Sequence, residues 1–413
     1  LSTPRHFLFL QGMPCAFFPR IAARLRAAGA RTTKINLCLG DQLFWSGPDA
    51  LNYRGSYRGW PDYIAAFMRG ERVTDLILLG EQRYYHREAV AAAQALGIAV
   101  TVTDFGYIRP DWITFERDGM SGGSRFPRTA AGVRALAARS PKPDWPARFA
   151  DRSVTMARGD LLHNFANLFG APLFPRYRRS DRRPHTLIYT AACAERLWSN
   201  GRLKAKADAF VEALMASGQR YYLFPLQLNF DFQIIAYSRY TNMDQAITEV
   251  MASFAAHAPA DAMLVIKEHP WDPAIIDWER VVRKKVAAMG LGERVRYLRG
   301  GVLDHLVAQC AGVVTINSTV GMRALQIGRP LKALGQAVYD IPGLTNSCGL
   351  DEFWTQGVPP DPALVQDFLA ALAGTVLIRG VYFEETGLAQ AVEEATHRLL
   401  ANKVGEPFPA VSN

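Results

Sequence analysis

Apolar positions along the chain follow two recurring patterns. Residues 7–10 (Phe7, Leu8, Phe9, Leu10) are a short apolar run of the kind a buried strand presents. Residues 21–28 follow as a helix, with Ile21, Leu25 and Ala28 at helical spacing and Gly29 as the stop signal. The alternation continues with strands predicted over 33–37, 75–79 and 98–103 and helices over 63–69 and 87–96. A β-α-β-α order of this kind predicts a parallel sheet with helices on both faces. Ligands of such sheets sit beyond the carboxyl ends of the strands. The residues just after each strand are therefore candidates: Gln11 with Gly12, Asn36, Gly40 with Asp41, Gly80 with Glu81, and Asp104.

The stretch 121–181 is less regular, with a helix predicted over 154–169 and then a basic, proline-containing run over 175–184. An interdomain linker is predicted near 198–203. The rhythm then restarts. Helices are predicted over 205–215, 246–256, 281–289, 303–310 and 319–327, and strands over 221–224, 263–267, 294–298, 313–316 and 331–334. The chain thus reads as α/β, with an N-terminal Rossmann-like domain over 1–200 and a C-terminal Rossmann-like domain over 201–375. A last helical segment over 376–413 is expected to pack back across the domains. Two Rossmann-like halves facing each other across a cleft form the GT-B architecture of glycosyltransferases.

Composition agrees with a folded two-domain chain: 413 residues, 49% hydrophobic and 21% charged. The net charge of +9 calls for an anionic partner or an Arg-rich solvated surface, and its densest stretch is Arg176, Arg178, Arg179, Arg182 and Arg183. No stacking motif accompanies these arginines, so nucleic acid is the weakest of the anionic partners. The five cysteines lack metal or redox spacing, which predicts a reducing compartment. No apolar run reaches the roughly 20 residues of a membrane helix, and the opening run is too short for a signal peptide. Any contact with a membrane is expected to be peripheral.

Several chemistries are missing their signatures. No G-x-G-x-x-G follows the first strand, and there is no P-loop, zinc spacing or G-x-S-x-G elbow. Three strand ends of the second half carry candidate chemistry instead. Asn317, Ser318 and Thr319 stand between a buried strand and a helix, where free N–H groups and hydroxyls form an anion site; a plain helix cap is the alternative. Lys267, Glu268, His269 and Pro270 follow the strand 263–267, where Lys267 and His269 can meet a phosphate and protonate a leaving group; a hydrogen-bonded turn histidine is the alternative. Gln227 and Asp231 follow the strand 221–224, and Asp231 is either a paired structural acid or a working nucleophile or base. In the first half Asp104, Tyr107 and Arg109 share this placement, with turn capping and a surface ion pair as the alternatives for Asp104 and Arg109. Two carboxylates facing a sugar suit glycosyl transfer.

In order along the chain, Phe9-Leu10-Gln11-Gly12, Ile35-Asn36-Leu37, Asn52-Tyr53-Arg54-Gly55 and the run from Gly106 to Thr114 resemble the KpsS/LipB-type capsule polysaccharide proteins. So do Pro225-Leu226-Gln227, His269-Pro270, Asn317-Ser318-Thr319-Val320-Gly321, the run from Tyr339 to Thr345, and Leu350-Asp351-Glu352-Phe353-Trp354. The resemblance implies a retaining β-Kdo (3-deoxy-D-manno-octulosonic acid) transferase. Its donor is CMP-β-Kdo, and its acceptor is a lysophosphatidylglycerol-type lipid at the inner leaflet of the bacterial inner membrane. Asp231 matches the nucleophile position, and Asp104 an acidic position where many relatives have Glu. His269, Ser318 and Thr319 match the cytidine monophosphate site, with Lys267, Pro270, Asn317 and Gln227 around it. Gln11, Asn36, Asp41, Tyr107 and Arg109 fall on the acceptor side. No metal is expected, because His269 and a helix start can carry the phosphate charge. The arginines of 176–183 are expected to face anionic headgroups, each adding about 1 kcal/mol near the surface. An elongating transferase acting on a sugar, or a non-catalytic adaptor of a capsule export complex, are the other readings.

Overall fold

The computed structural model describes residues 4–47, 49–179, 185–229 and 231–408, with side chains at 196–200 and 202 left out. The chain divides into two compact units, one comprising 1–127, 132–181 and 367–413, the other 128–131 and 182–366.

The first unit holds strands β1 (His6–Phe9), β2 (Arg31–Asn36), β3 (Ala50–Asn52), β4 (Asp75–Leu79), β5 (Ala99–Phe105) and β6 (Trp112–Arg117). Neighbouring strands run β3-β2-β1-β4-β5, all parallel, and β6 closes the row antiparallel to β5. Successive strand residues point to opposite faces, and both faces are covered here. Phe7, Phe9 and Ile77 pack with Phe17, Ile21 and Leu25 of the helix Phe17–Ala27. Their neighbours Leu8, Leu76 and Leu78 are just as fully buried on the other side. Continuous burial is what a central parallel strand requires, and each such side chain contributes about 1.5–3 kcal/mol. The helix starts four residues before its predicted start because Pro19 lies in its first turn, where proline is tolerated.

In the second unit β7 (Tyr221–Pro225), β8 (Met263–Lys267), β9 (Val295–Leu298), β10 (Gly312–Thr315) and β11 (Leu331–Ala333) form an all-parallel sheet ordered β9-β8-β7-β10-β11. The helices Met243–His257, Trp278–Ala288, Leu303–Gln309 and Val320–Ile327 connect them. Tyr222, Phe254, Phe353 and Trp354 meet edge to face in its core, and the Trp354 indole N–H donates to Ser253 Oγ at 2.8 Å. The run Leu350–Trp354 noted in the sequence is thus a core clamp.

Three expectations change. The predicted linker near 198–203 lies inside one 32-residue helix, Thr186–Ser217, and the unit boundary falls at 181/182 instead of 200. A lone Gly201 costs a helix only about 1 kcal/mol, too little to break it. The segment 376–413 is not purely helical: β12 (Leu377–Arg379) adds antiparallel to β6, and the helix Glu385–Leu400 joins Phe17, Phe18 and Ile21 in the first unit's core. The conspicuous run Gly106–Thr114 is the hairpin between β5 and β6. Gly106 is required there, because an added Cβ would lie 2.3 Å from Trp112 O.

Candidate functional site

Both parallel sheets share the strand order 3-2-1-4-5 when counted within each unit, so each reverses direction between its first and fourth strands. That reversal opens a crevice beyond the carboxyl ends, where ligands of doubly wound sheets bind. In each unit a side-chain hydrogen bond spans the reversal.

In the second unit the pair is Gln227, after β7, and Asn317, after β10. Gln227 Nε2 donates to Asn317 Oδ1 at 2.9 Å, and the Asn317 main-chain N–H returns a bond to Gln227 Oε1 at 3.2 Å. Asn317 Nδ2 donates to Gln233 O at 2.9 Å, which fixes both amide orientations. The loop so held leads into the helix Val320–Ile327, whose start carries Ser318 and Thr319. Ser318 Oγ accepts the Val320 N–H at 3.2 Å, and Ser318 O accepts from the Tyr339 hydroxyl at 2.6 Å. Gly321 makes that approach possible, since an added Cβ would sit 2.5 Å from the Tyr339 ring. The motifs at 317–321 and 339–345 are therefore two sides of one contact.

His269 and Pro270 follow β8, next to β7. The Trp271 N–H donates to His269 Nδ1 at 3.1 Å, so the neutral ring carries its proton on Nε2. Trp271 itself is half exposed; the sequence signal for it was its place directly after His-Pro. Lys267 is buried, and its ammonium reaches the Glu268 main-chain carbonyl at 3.5 Å. The Glu268 carboxylate goes instead to the Tyr297 hydroxyl at 2.7 Å and Arg299 Nε at 3.2 Å. Asp231 caps the helix Phe232–Tyr237, where its Oδ1 accepts the Gln233 N–H at 2.9 Å. Gln233 thus ties Asp231 to the Gln227–Asn317 pair.

In the first unit the spanning bond runs from Arg83 Nη1, after β4, to Gln11 Oε1, after β1, at 3.2 Å. Gln11 Nε2 donates in turn to Asp41 Oδ1 at 2.7 Å, and the Leu37 N–H donates to Asp41 Oδ2 at 3.0 Å. His163 Nε2 lies 3.4 Å from Asp41 Oδ1. Burial pushes the Asp41 carboxyl up, but the Lys34 ammonium, His163 and the Leu37 N–H outweigh it and hold the carboxyl well below its ordinary value. Lys34, Asp41, Trp45 and His163 line a cavity of about 20 Å³, room for a single water. Lys34, Arg83 and His163 were not predicted: Lys34 points inward from mid-strand, and His163 lies far away in sequence.

Cys38, Asp41 and His163 offer ligand atoms within 4.8 Å of one another, which raises the question of a metal. The same side chains take part in a hydrogen-bond network. Asn167 Oδ1 accepts the Gly40 N–H at 2.7 Å, which turns Asn167 Nδ2 towards His163 Nδ1 at 3.4 Å. Nδ1 is therefore the acceptor, and the proton sits on Nε2 facing Asp41. The Gln11 amide nitrogen also stands among the three, 2.7 Å from Asp41 and 3.3 Å from His163.

Asp104, one residue before the end of β5, is half-buried, and its Oδ1 accepts the Phe105 N–H at 2.7 Å. Burial raises its pKa, opposed by that N–H and by Arg83 and Arg109. The Arg109 guanidinium lies over the Phe105 ring, 5.1 Å from its centroid. Two predicted acceptor residues turn inward instead. Asn36 is fully buried, donating to Trp45 O and Asn52 Oδ1, both at 3.1 Å. Tyr107 is buried with its hydroxyl on Glu116 at 2.5 Å. In the basic stretch, Arg178 is taken up between the Tyr57 and Tyr84 rings, 4.9 and 4.4 Å from their centroids. Arg182 and Arg183 lie outside the described residues.

The family model for capsule polysaccharide biosynthesis proteins matches residues 74–383. The capsule polysaccharide export protein KpsS of Escherichia coli is 32% identical over 93% of this chain and 98% of its own length. The capsule polysaccharide modification protein LipB of Neisseria meningitidis serogroup B is 28% identical over 93% of each chain. Among solved structures, Thermosulfurimonas dismutans KpsC, beta Kdo 2,7 transferase, aligns over 97% of this chain and 100% of that one, at 13% identity and a TM-score of 0.44.

Proposed function

The chain belongs to the capsule polysaccharide biosynthesis protein family, and from that premise we propose that it is a GT-B glycosyltransferase. In this reading it moves Kdo with retention from CMP-β-Kdo to a lysophosphatidylglycerol-type lipid. It works at the inner face of the cytoplasmic membrane and begins the linker on which capsule is built. The observation that carries the reading is the reversal point of the second sheet, where Gln227 and Asn317 lock a helix start bearing Ser318 and Thr319 beside β7 and Asp231.

The chemistry follows from those groups. The positive end of the helix Val320–Ile327, with the Ser318 and Thr319 hydroxyls beside it, suits the CMP phosphate. His269, with its proton on Nε2, donates to the phosphate oxygen as the sugar C2–O bond breaks. Asp231, oriented by the Gln233 N–H, attacks C2 to form a glycosyl ester. The acceptor hydroxyl then displaces Asp231 from C2, its proton passing to a base as the glycosyl ester opens. The phosphate charge is met by protein donors, so transfer is expected to proceed without a divalent metal.

The test incubates the protein with enzymatically generated CMP-Kdo and a fluorescent lysophosphatidylglycerol, with and without EDTA, beside Asp231→Ala. A mass gain of one Kdo in the wild type alone, unaffected by EDTA, is expected. Gain only on a synthetic Kdo acceptor would move the assignment to linker elongation. Absence of transfer and of CMP binding in a folded sample would leave a non-catalytic role.

A further inference from the structure

The helix Ser153–Phe169 has its polarity reversed. A surface helix normally turns its apolar stripe inward and its polar side to water. Here the inward side carries one apolar core contact, Met156, beside Gly159, His163, Asn164 and Asn167. Gly159 lies against Pro14, where an added Cβ would come within 2.7 Å of the carbonyl oxygen. His163 faces Asp41, and Asn167 bonds Gly40. The outward side carries Val154, Leu161, Leu162 and Phe169, exposed by 82%, 42%, 48% and 76%, and Leu173 just beyond is 50% exposed. Positions 154, 161, 165 and 169 fall on one helical face.

Exposed arginines accompany this strip: Arg152 precedes the helix, Arg158 shares the strip's own face between Val154 and Leu162, and Arg176 follows Leu173. An apolar strip with arginines at its ends, and one within it whose long stem lets the guanidinium reach outward, is the composition of a helix that lies in a membrane interface. A symmetric pairing of two copies through this face would bring the same arginines together, so the charge disfavours a second copy as the occupant.

We infer that this face docks on an anionic lipid bilayer. Val154, Leu161, Leu162, Phe169 and Leu173 enter the boundary between headgroups and acyl chains, and Arg152, Arg158 and Arg176 stay at headgroup level. The inference rests on the lipid-acceptor reading for its purpose and supplies the placement such an acceptor needs. One helix then presents its outer side to the membrane and His163, on its inner side, to the Asp41 network at the carboxyl edge of the first sheet.

Flotation of the full chain with phosphatidylcholine vesicles, with and without phosphatidylglycerol, tests it. The wild type, L161Q/F169Q and R158Q/R176Q are compared, with circular dichroism as a folding control; all four positions are exposed and glutamine is a good helix former. Wild-type binding to the anionic vesicles is expected. L161Q/F169Q should weaken it by about tenfold or more, and R158Q/R176Q should remove most of its salt dependence. Wild-type protein that stays unbound, or L161Q/F169Q binding within about twofold of it, overturns the inference. So does a wild-type dimer that L161Q/F169Q dissociates without any vesicle binding. Transfer to a short-chain, water-soluble lysolipid separates the two readings. Normal transfer by L161Q/F169Q with flotation lost supports docking. Flotation behaving as expected while every sample fails to transfer also supports docking and removes the transferase assignment alone.

Discussion

Asp41→Asn offers the sharpest test of the first unit's network. Asp41 is 5% exposed and Lys34 3% exposed, and burial lowers the Lys34 pKa while Asp41 opposes that shift. Removing the carboxylate charge takes away the anion that eases the burial of the Lys34 ammonium, and each buried donor left without its carboxylate acceptor costs about 1–3 kcal/mol. The new amide NH2 would also face either the Gln11 NH2 or the Leu37 N–H, where a donor meets a donor. At about 2–4 °C per kcal/mol for a unit of this size, the melting temperature should fall by roughly 10 °C. The assay is thermal unfolding followed by circular dichroism at neutral pH. Lys34→Met added to Asp41→Asn should recover part of the loss, because it removes the stranded charge. The pH dependence has a definite sign. A carboxyl held low in the fold stabilises above its unfolded value of about 3.9 and loses that contribution only as the pH falls through the lower folded value. The deficit of Asp41→Asn should therefore be constant from pH 5 to 7. A fall of less than about 2 °C, or a double variant less stable than Asp41→Asn alone, would refute the reasoning.

Three further outcomes are expected. Burial lowers the His86 pKa to about 4, and its Nδ1 donates to Leu79 O at 2.8 Å. Its neutral form is therefore the folded one: stability is fully present above about pH 6.5 and falls by roughly 3 kcal/mol as the pH drops to about 4. Urea titrations across that range should lose this slope in His86→Gln. Gln227→Leu leaves the Asn317 N–H and Oδ1 unpartnered at about 1–3 kcal/mol each, so the melting temperature and the affinity for CMP, read by calorimetry, should drop together. Gly321→Ala drives a methyl into the Tyr339 ring; it should cost about 1–3 kcal/mol, more than Tyr339→Phe, which loses one hydrogen bond of about 1 kcal/mol.

The periodicity reading succeeded where burial is continuous. β4 and β8 were predicted to the residue, because Asp75–Leu79 and Met263–Lys267 are apolar runs buried on both faces. It missed β3, β6, β12 and the short helix Leu39–Phe44. Three-residue strands and a six-residue helix carry too few positions to show a period, and β6 buries Thr114 and Glu116, which interrupt its apolar pattern. Every strand-end residue singled out lies at a carboxyl edge, since that follows from strand direction. Which of them face outward does not follow: Asn36 and Tyr107 turn inward, because a polar residue at a strand end serves a buried hydrogen bond as readily as a ligand.

The sequence by itself determined two α/β halves and the family, because apolar period and ordered short motifs are local and survive in one dimension. It also supplied the residue types on which the proposed phosphate binding and carboxylate chemistry rest. Only the tertiary structure decided that Gln227 meets Asn317 and that Arg83 meets Gln11, since a strand order of 3-2-1-4-5 brings distant loops together at the reversal. It likewise decided that Lys34 and His163 enclose Asp41. The reversed polarity of the helix Ser153–Phe169 was hidden for the same reason: helical spacing shows which residues share a face, and only packing shows which face the protein covers.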